Sequence, residues 1–261
     1  MGKKIIALMI GLVFALSALA LSDDLTGRQI IEKMRDRSDA KTSILRVKMV
    51  ITSKSGGERI RVIRNRVKDT PAGSKTVISF EKPDDVKGTK FLVNESKKGD
   101  DEQLLFLPAL GSVKRITSKG KKNSFMGTDF TYADMQSHDP DMGTHTRLDD
   151  TQVDGHDCYG ISTIPSNPAE YGYSKIVFYT RKDNFIPIKG EFYDKAGKLL
   201  KVMAVTGIEK DEKGNWIIKD TLMKNVQKGS STRLMVLQQK TDVPIADEFF
   251  TERFLTDQTR L

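Results

Sequence analysis

After Ala40 the apolar side chains fall at every second position, and that period returns in short runs as far as Thr241. A helix cannot bury one face with this spacing, whereas a β-strand can. In the first run Leu45, Val47, Met49 and Ile51 alternate with Arg46, Lys48 and Thr52. Ser55-Gly56-Gly57 then turns the chain into a second run, Glu58 to Lys68. Further strands are predicted at Lys75–Phe80, Gly88–Val93, Gln103–Leu107 and Val113–Thr117. Others follow at Thr144–Val153, His156–Ile164, Ser174–Arg181, Phe185–Tyr193, Lys198–Glu209, Trp216–Asn225 and Thr232–Thr241. Asp154-Gly155 is a strong two-residue hairpin signal, and Asp183-Asn184 and Ala196-Gly197 mark further turns. About a dozen short strands at hairpin spacing make an antiparallel meander, and a sheet that wide must curl. Its apolar face then lies on the inside of the curl.

Two segments interrupt the pattern. Ser22 to Ser38 reads as a helix, with Thr26 and Gln29 spaced for a capping box and Leu25, Ile30, Ile31 and Met34 forming an apolar stripe. Lys119 to Gly143 is irregular: glycines, lysines and aspartates are mixed with Phe125, Met126, Phe130, Tyr132 and Met135. A loop that carries this many large apolar side chains needs a surface to cover. The tail, Ala246 to Leu255, is expected to form one short helix. No repeat, linker or low-complexity tract divides residues 21–261, so a single domain is expected there.

The first twenty residues read differently. Lys3 and Lys4 precede an apolar run from Ile5 to Ala20, which ends in Ala18-Leu19-Ala20. That order is a secretory signal with cleavage after about Ala20. The rival reading, an uncleaved anchor, asks sixteen residues to do what usually takes about 20. The expected product is exported, soluble and periplasmic. Losing two lysines takes its formal charge from +8 to +6. Cys158 is the only cysteine, which excludes an intrachain disulfide and lipidation at the cleavage site. With 38% hydrophobic and 30% charged residues in 261, the composition excludes a disordered chain and an integral membrane protein.

Catalytic signals are missing. There is no Gly-x-Ser-x-Gly elbow, phosphate-binding glycine loop or Cys-x-x-Cys, and no enzyme activity or cofactor is expected. His138, His145 and His156 lie near Asp139 and Asp141, but their spacing matches no metal motif and Asp139-Pro140-Asp141 reads as a turn. Arg59, Arg61, Arg64 and Arg66, with Lys54 and Lys68, form a basic ladder that reads most simply as a blunted sheet edge. Lys119, Lys121 and Lys122 form a second basic cluster, a candidate for docking on a membrane or partner. Nucleic acid is not expected, since no aromatics interleave with these cations.

Three stretches carry a resemblance. The run Leu104-Leu105-Phe106-Leu107-Pro108-Ala109-Leu110-Gly111-Ser112-Val113-Lys114-Arg115-Ile116 resembles a signature of the LolA-like outer-membrane lipoprotein-sorting family. So does Ser124-Phe125-Met126-Gly127-Thr128-Asp129-Phe130-Thr131-Tyr132-Ala133-Asp134-Met135. Phe80-Glu81-Lys82-Pro83, followed by Lys87-Gly88-Thr89, is also similar. The likeness covers nearly all of the chain after residue 20 and points to a poorly characterised branch. It implies a mainly β fold, an unclosed and strongly curved antiparallel half-barrel of about eleven strands covered by helices and a loop. Members with this fold include a lipoprotein carrier, its lipid-anchored receptor and a regulator of an envelope-stress protease.

The resemblance implies a non-catalytic, monomeric carrier that takes the acyl chains of lipoproteins, or another lipid, from an inner-membrane transporter toward an outer-membrane acceptor. Regulatory sensing of lipid and service to a free-lipid exporter are the alternatives. Each buried methylene is worth about 0.8 kcal/mol, so such a cargo needs an apolar hollow in water. Met49, Phe80, Phe106, Phe125, Met126, Phe130, Tyr132, Met135 and Phe178 are the candidate lining of a trough roofed but unfilled. Plain core packing is the alternative for each of them. The carrier's lid is held by an arginine from the sheet, and Arg46, Arg64 and Arg66 are the strand-borne candidates.

Overall fold

The computed structural model describes residues 25–37, 40–97, 101–137, 139–212 and 214–260. The signal at residues 1–20, the start of the predicted helix and His138 lie outside the described residues. Helix α1 (Gly27–Arg35) is shorter than the apolar stripe suggested. Its N-terminus is closed by the predicted capping box, in which Thr26 Oγ1 accepts from the Gln29 amide and the Gln29 side chain accepts from the Thr26 amide. Ile30, Ile31 and Met34 are buried.

Six strands follow: β1 (Thr42–Thr52), β2 (Glu58–Thr70), β3 (Gly73–Lys82), β4 (Lys90–Asn94), β5 (Glu102–Leu107) and β6 (Ser112–Arg115). Helix α2 (Ser118–Lys121) lies in the irregular segment. Strands β7 (Gly143–Val153) and β8 (His156–Pro165) come next, then helix α3 (Pro168–Tyr171). The remaining strands are β9 (Lys175–Arg181), β10 (Pro187–Tyr193), β11 (Leu199–Lys210), β12 (Trp216–Asn225) and β13 (Ser230–Thr241). Helix α4 (Glu252–Thr256) is the last of the described elements, after a single 3-10 turn (Asp247–Phe250). The tail is thus two short helical pieces, because Thr251 between them is extended and caps the second through its hydroxyl.

Among the described residues thirteen strands, where about eleven were implied, form one antiparallel sheet in the order β6-β5-β4-β3-β2-β1-β13-β12-β11-β10-β9-β8-β7. Every neighbour pair but one is a consecutive strand pair. The exception joins β1 to β13, from Ser43 opposite Thr241 to Thr52 opposite Ser231. Strands β6 and β7 therefore sit at opposite edges, and residues 116–142 between them must cross the sheet. They cross over one face. Tyr132 of this crossing segment touches Phe91 on β4, while Asp134, two residues on, meets Lys201 on β11. Those strands are six places apart, roughly 29 Å in a flat sheet at about 4.8 Å per strand. The sheet curls toward the crossing segment, which makes that face the concave one.

Alternation assigns the two faces. Val47, Met49, Ile51, Ile63, Ile78, Phe80, Phe91, Val93 and Leu105 share one cluster under the crossing segment. Val77, Leu92, Leu104 and Phe106 point the other way, into a cluster with Ile245, Phe250, Phe254 and Leu255 of the tail. Strands β3 to β5 are covered on both sides, so both phases of their sequences are apolar. Arg66 stacks on the Phe249 ring at 4.5 Å, and Lys68 pairs with Asp247 at 3.0 Å, fixing the tail to the outer face.

Lys90 is fully buried beneath that tail. Its ammonium donates to the carbonyls of Phe254 (2.9 Å) and Asp257 and lies 4.1 Å from the Phe254 ring centre. Burial pulls its pKa down to about 8, from 10.5. Between those values the unfolded chain holds a proton that the folded chain has released, so stability owed to this group rises with pH. The thermal midpoint of the native chain is expected to gain on that of Lys90→Met from pH 8 to pH 10.5. A difference that stays constant across this window would refute the assignment.

Candidate functional site

The crossing segment is built to lie on the concave face. Ser124 and Thr131 bridge, the Phe125 amide donates to the Phe130 carbonyl at 2.8 Å, and the Tyr132 amide donates to the Asn123 carbonyl at 3.1 Å. This closes a compact loop whose tip, Met126-Gly127, takes positive φ at both residues. Glycine adopts that conformation freely and methionine only at a cost, which outside contacts to Met126 offset. Arg61 supplies one by donating to the Met126 carbonyl, and Arg59 donates to that of Gly127 at 3.3 Å.

Inside the loop the rings face the sheet. Phe125 lies 6.0 Å from Phe80, 5.2 Å from Phe91 and 5.5 Å from Tyr132, centre to centre. Phe130 joins the neighbouring cluster of Tyr159, Ile161, Ile176, Phe178, Phe192 and Met223, which α1 also covers. Met135 touches both clusters. The expectation of an empty trough is corrected: the loop's own side chains fill it. Filling is what burial of an apolar face against water favours, at about 25 cal/mol per Å².

Polar clasps hold the loop at several strands. Gln103 on β5 donates to the Tyr132 carbonyl at 3.1 Å. Ser230 and Thr232 at the start of β13 donate to the Asp129 carboxylate at 2.5 and 2.8 Å. Deepest is a buried triad in which the Lys201 ammonium donates to the Tyr173 hydroxyl at 2.9 Å and stands 3.5 Å from Asp134. The Tyr173 hydroxyl in turn donates to Asp134 at 2.9 Å, and the Thr131 amide donates to the same carboxylate at 2.7 Å. Burial moves the Lys201 pKa down, partly offset by Asp134, and moves that of Tyr173 well up.

Of the sequence-derived lining residues, Met49, Phe80, Phe125, Met126 and Tyr132 meet in one cluster, and Phe130 and Phe178 in the adjoining one. Phe106 does not belong with them. It sits one position out of phase from Leu105 and faces the tail on the outer side. The lid arginines are also corrected. Arg46 and Arg64 both pair with Glu81 on the outer face, at 2.7 and 2.5 Å, and Arg66 packs under the tail. The β2 arginines that reach the crossing segment are Arg59 and Arg61, through the Gly127 and Met126 carbonyls. Strand β2 lies between β1 and β3, so the basic ladder is no sheet edge.

Within the second basic cluster, Lys121 is buried and ion-paired with Glu170 at 2.6 Å, holding α2 to α3, and cannot also dock on a surface. Lys119 and Lys122 are exposed. His145 spends both ring nitrogens, on the Thr163 hydroxyl (2.8 Å) and the Pro140 carbonyl (2.9 Å). Among the described residues no three His, Cys, Asp or Glu side chains gather to hold a metal ion, and no helix is long and apolar enough to cross a membrane.

Sequence reasoning missed Phe91, Lys201, Tyr173 and Asp134. The available signal was Lys201, a lysine two positions before Met203 and so in phase with the concave face. Apolar residues in both phases of β11 obscured it.

An open antiparallel sheet, curled around a segment that connects its two edges, defines the LolA-like fold class. A family model described only as that of an uncharacterized protein matches residues 72–257, while no curated protein matches. Among solved structures, a domain from Vibrio parahaemolyticus assigned to outer-membrane lipoprotein sorting is 30% identical with a TM-score of 0.83, over 88% of this chain and 98% of its own. A DUF1329 family protein from Desulfovibrio piger is 28% identical with a TM-score of 0.81, over 88% and 97%. A LolA superfamily protein from Nitrosomonas europaea, 17% identical with a TM-score of 0.70 over 88% and 99%, shares the fold. The chain belongs to the LolA-like outer-membrane lipoprotein-sorting family, in its DUF1329 branch.

Proposed function

We propose that this chain is a non-catalytic periplasmic carrier of acyl chains, in which lipid and the crossing segment compete for the same concave face. The carrying observation is that Phe125, Phe130 and Tyr132, which fill the trough, belong to the crossing loop and not to the sheet wall. A loop held largely by side-chain clasps leaves the thirteen-stranded scaffold intact when it lifts. Acyl chains then replace aromatic rings on the same apolar surface. The cargo class, lipoprotein acyl groups or a related lipid, follows the Vibrio relative's assignment. Collection from an inner-membrane transporter and delivery to an outer-membrane acceptor, as a single domain after signal cleavage, complete this reading.

The test is direct. The exported chain is purified without detergent, assayed by mass spectrometry for co-purified acyl species and titrated with a neutral fluorescent acyl ester. Saturable binding is expected, with raised hydrogen exchange in residues 116–137 once the probe is bound. Finding neither acyl species nor probe binding would overturn the carrier. It would favour a second reading that the filled trough itself supports, a regulatory module that binds protein through its outer surfaces.

A further inference from the structure

Two clefts flank the loop where it meets the β1 and β13 end of the sheet, with volumes of about 150 and 340 Å³. Both are lined by Ser124, Thr128, Asp129 and Lys228, so they adjoin as two arms of a groove around these residues. Its cations are Lys122 and Lys201 on one side, Lys54 and Arg59 on the other, and Lys228 between them. The one carboxylate among its described lining residues, Asp129, has both oxygens engaged by the Ser230 and Thr232 hydroxyls. Among the described residues Lys54, Lys122 and Lys228 stand within ion-pair distance of no carboxylate. With Lys201 held against Asp134, the other four cations face one hydrogen-bonded acid, and in a concave setting they focus positive potential where an anion fits. The groove also reaches apolar surface: Phe130 lines one cleft and Ile51 the other, and each belongs to a trough cluster.

We infer that this groove is a binding site for the phosphate of a net-anionic lipid headgroup, placed at the mouth of the trough so that the attached acyl chains enter beneath the loop. The inference rests on the carrier reading for its tail and on the groove alone for its head. A free phosphate shares the head chemistry, and the apolar continuation favours the lipid.

The experiment is calorimetric titration of the full exported chain with inorganic phosphate, dihexanoyl phosphatidylglycerol and dihexanoyl phosphatidylcholine, the lipids below their critical micelle concentrations. The anionic lipid is expected to bind about tenfold more tightly than the zwitterionic one, with the advantage shrinking as salt is added. Lys122→Glu with Lys228→Glu, both exposed, should erase that advantage, while Lys240→Glu at the far end of β13 should leave it. Phosphate binding as tightly as the anionic lipid would overturn the headgroup assignment in favour of a free oxyanion. Equal affinity for the two lipids, or no effect of the paired reversal, would overturn the site. Failure of the carrier reading alone looks different: the neutral acyl ester would not bind, yet the charge preference would persist.

Discussion

Truncating Phe125 to alanine is expected to destabilise the closed protein by about 3–4 kcal/mol and, at the same time, to strengthen uptake of a neutral acyl probe. The ring is fully buried against Phe80, Phe91 and Tyr132, so its loss costs transfer energy and leaves a cavity. That cost falls on the closed form alone if the loop lifts as a unit, because the exposed trough never contained the ring. Weakening a competitor raises the apparent affinity of what it excludes, by tenfold for each 1.4 kcal/mol or so. A gain of up to several hundredfold, on the order of 10²–10³, follows. Phe80→Ala supplies the contrast, since the same kind of ring is removed from the wall itself. Stability should fall comparably, but probe affinity should fall as well. Chemical denaturation and fluorescence titration of the two variants decide the matter. If both lose affinity together, Phe125 is ordinary core and the loop is no lid.

Lys201→Met is the second large effect. Removing the ammonium leaves Asp134 nearly buried without its counter-charge, an imbalance worth about 3–5 kcal/mol at comparable sites. Deleting both charges, in Lys201→Met with Asp134→Leu, should recover much of that loss, because two desolvated ions are replaced by apolar volume. Hydrogen exchange locates the damage: in the single variant, amides of residues 116–137 should open well before those of β1 and β13. Unchanged exchange there, or a double variant no better than the single, would show that the triad does not fasten the loop.

These expectations depend on details of unequal legibility in the sequence. Strand β1 was plain, because Leu45, Val47, Met49 and Ile51 alternate with polar neighbours and only one of its faces is sealed. In β4 and β5 the alternation vanished, since the tail covers the second face, and Phe106 was consequently placed on the wrong side. In β2, arginines occur in both phases, so the pattern could not say that Arg59 and Arg61 turn inward while Arg64 and Arg66 turn outward. The aromatic loop declared its need for a surface but not how completely it would occupy it.

Within a span of a few residues, sequence alone placed the strand segments, about a dozen by its own count, together with the Asp154-Gly155 hairpin and the capped start of α1, because their causes are backbone sterics and neighbouring side chains. Tertiary structure decided the rest. The β1–β13 pairing, the face crossed by residues 116–142 and the meeting of Lys201 with Asp134 join positions far apart in the chain. Backbone hydrogen bonds are alike in every strand and name no partner. Only the combined burial of both faces, weighed against the cost of ordering the loop, selects that arrangement.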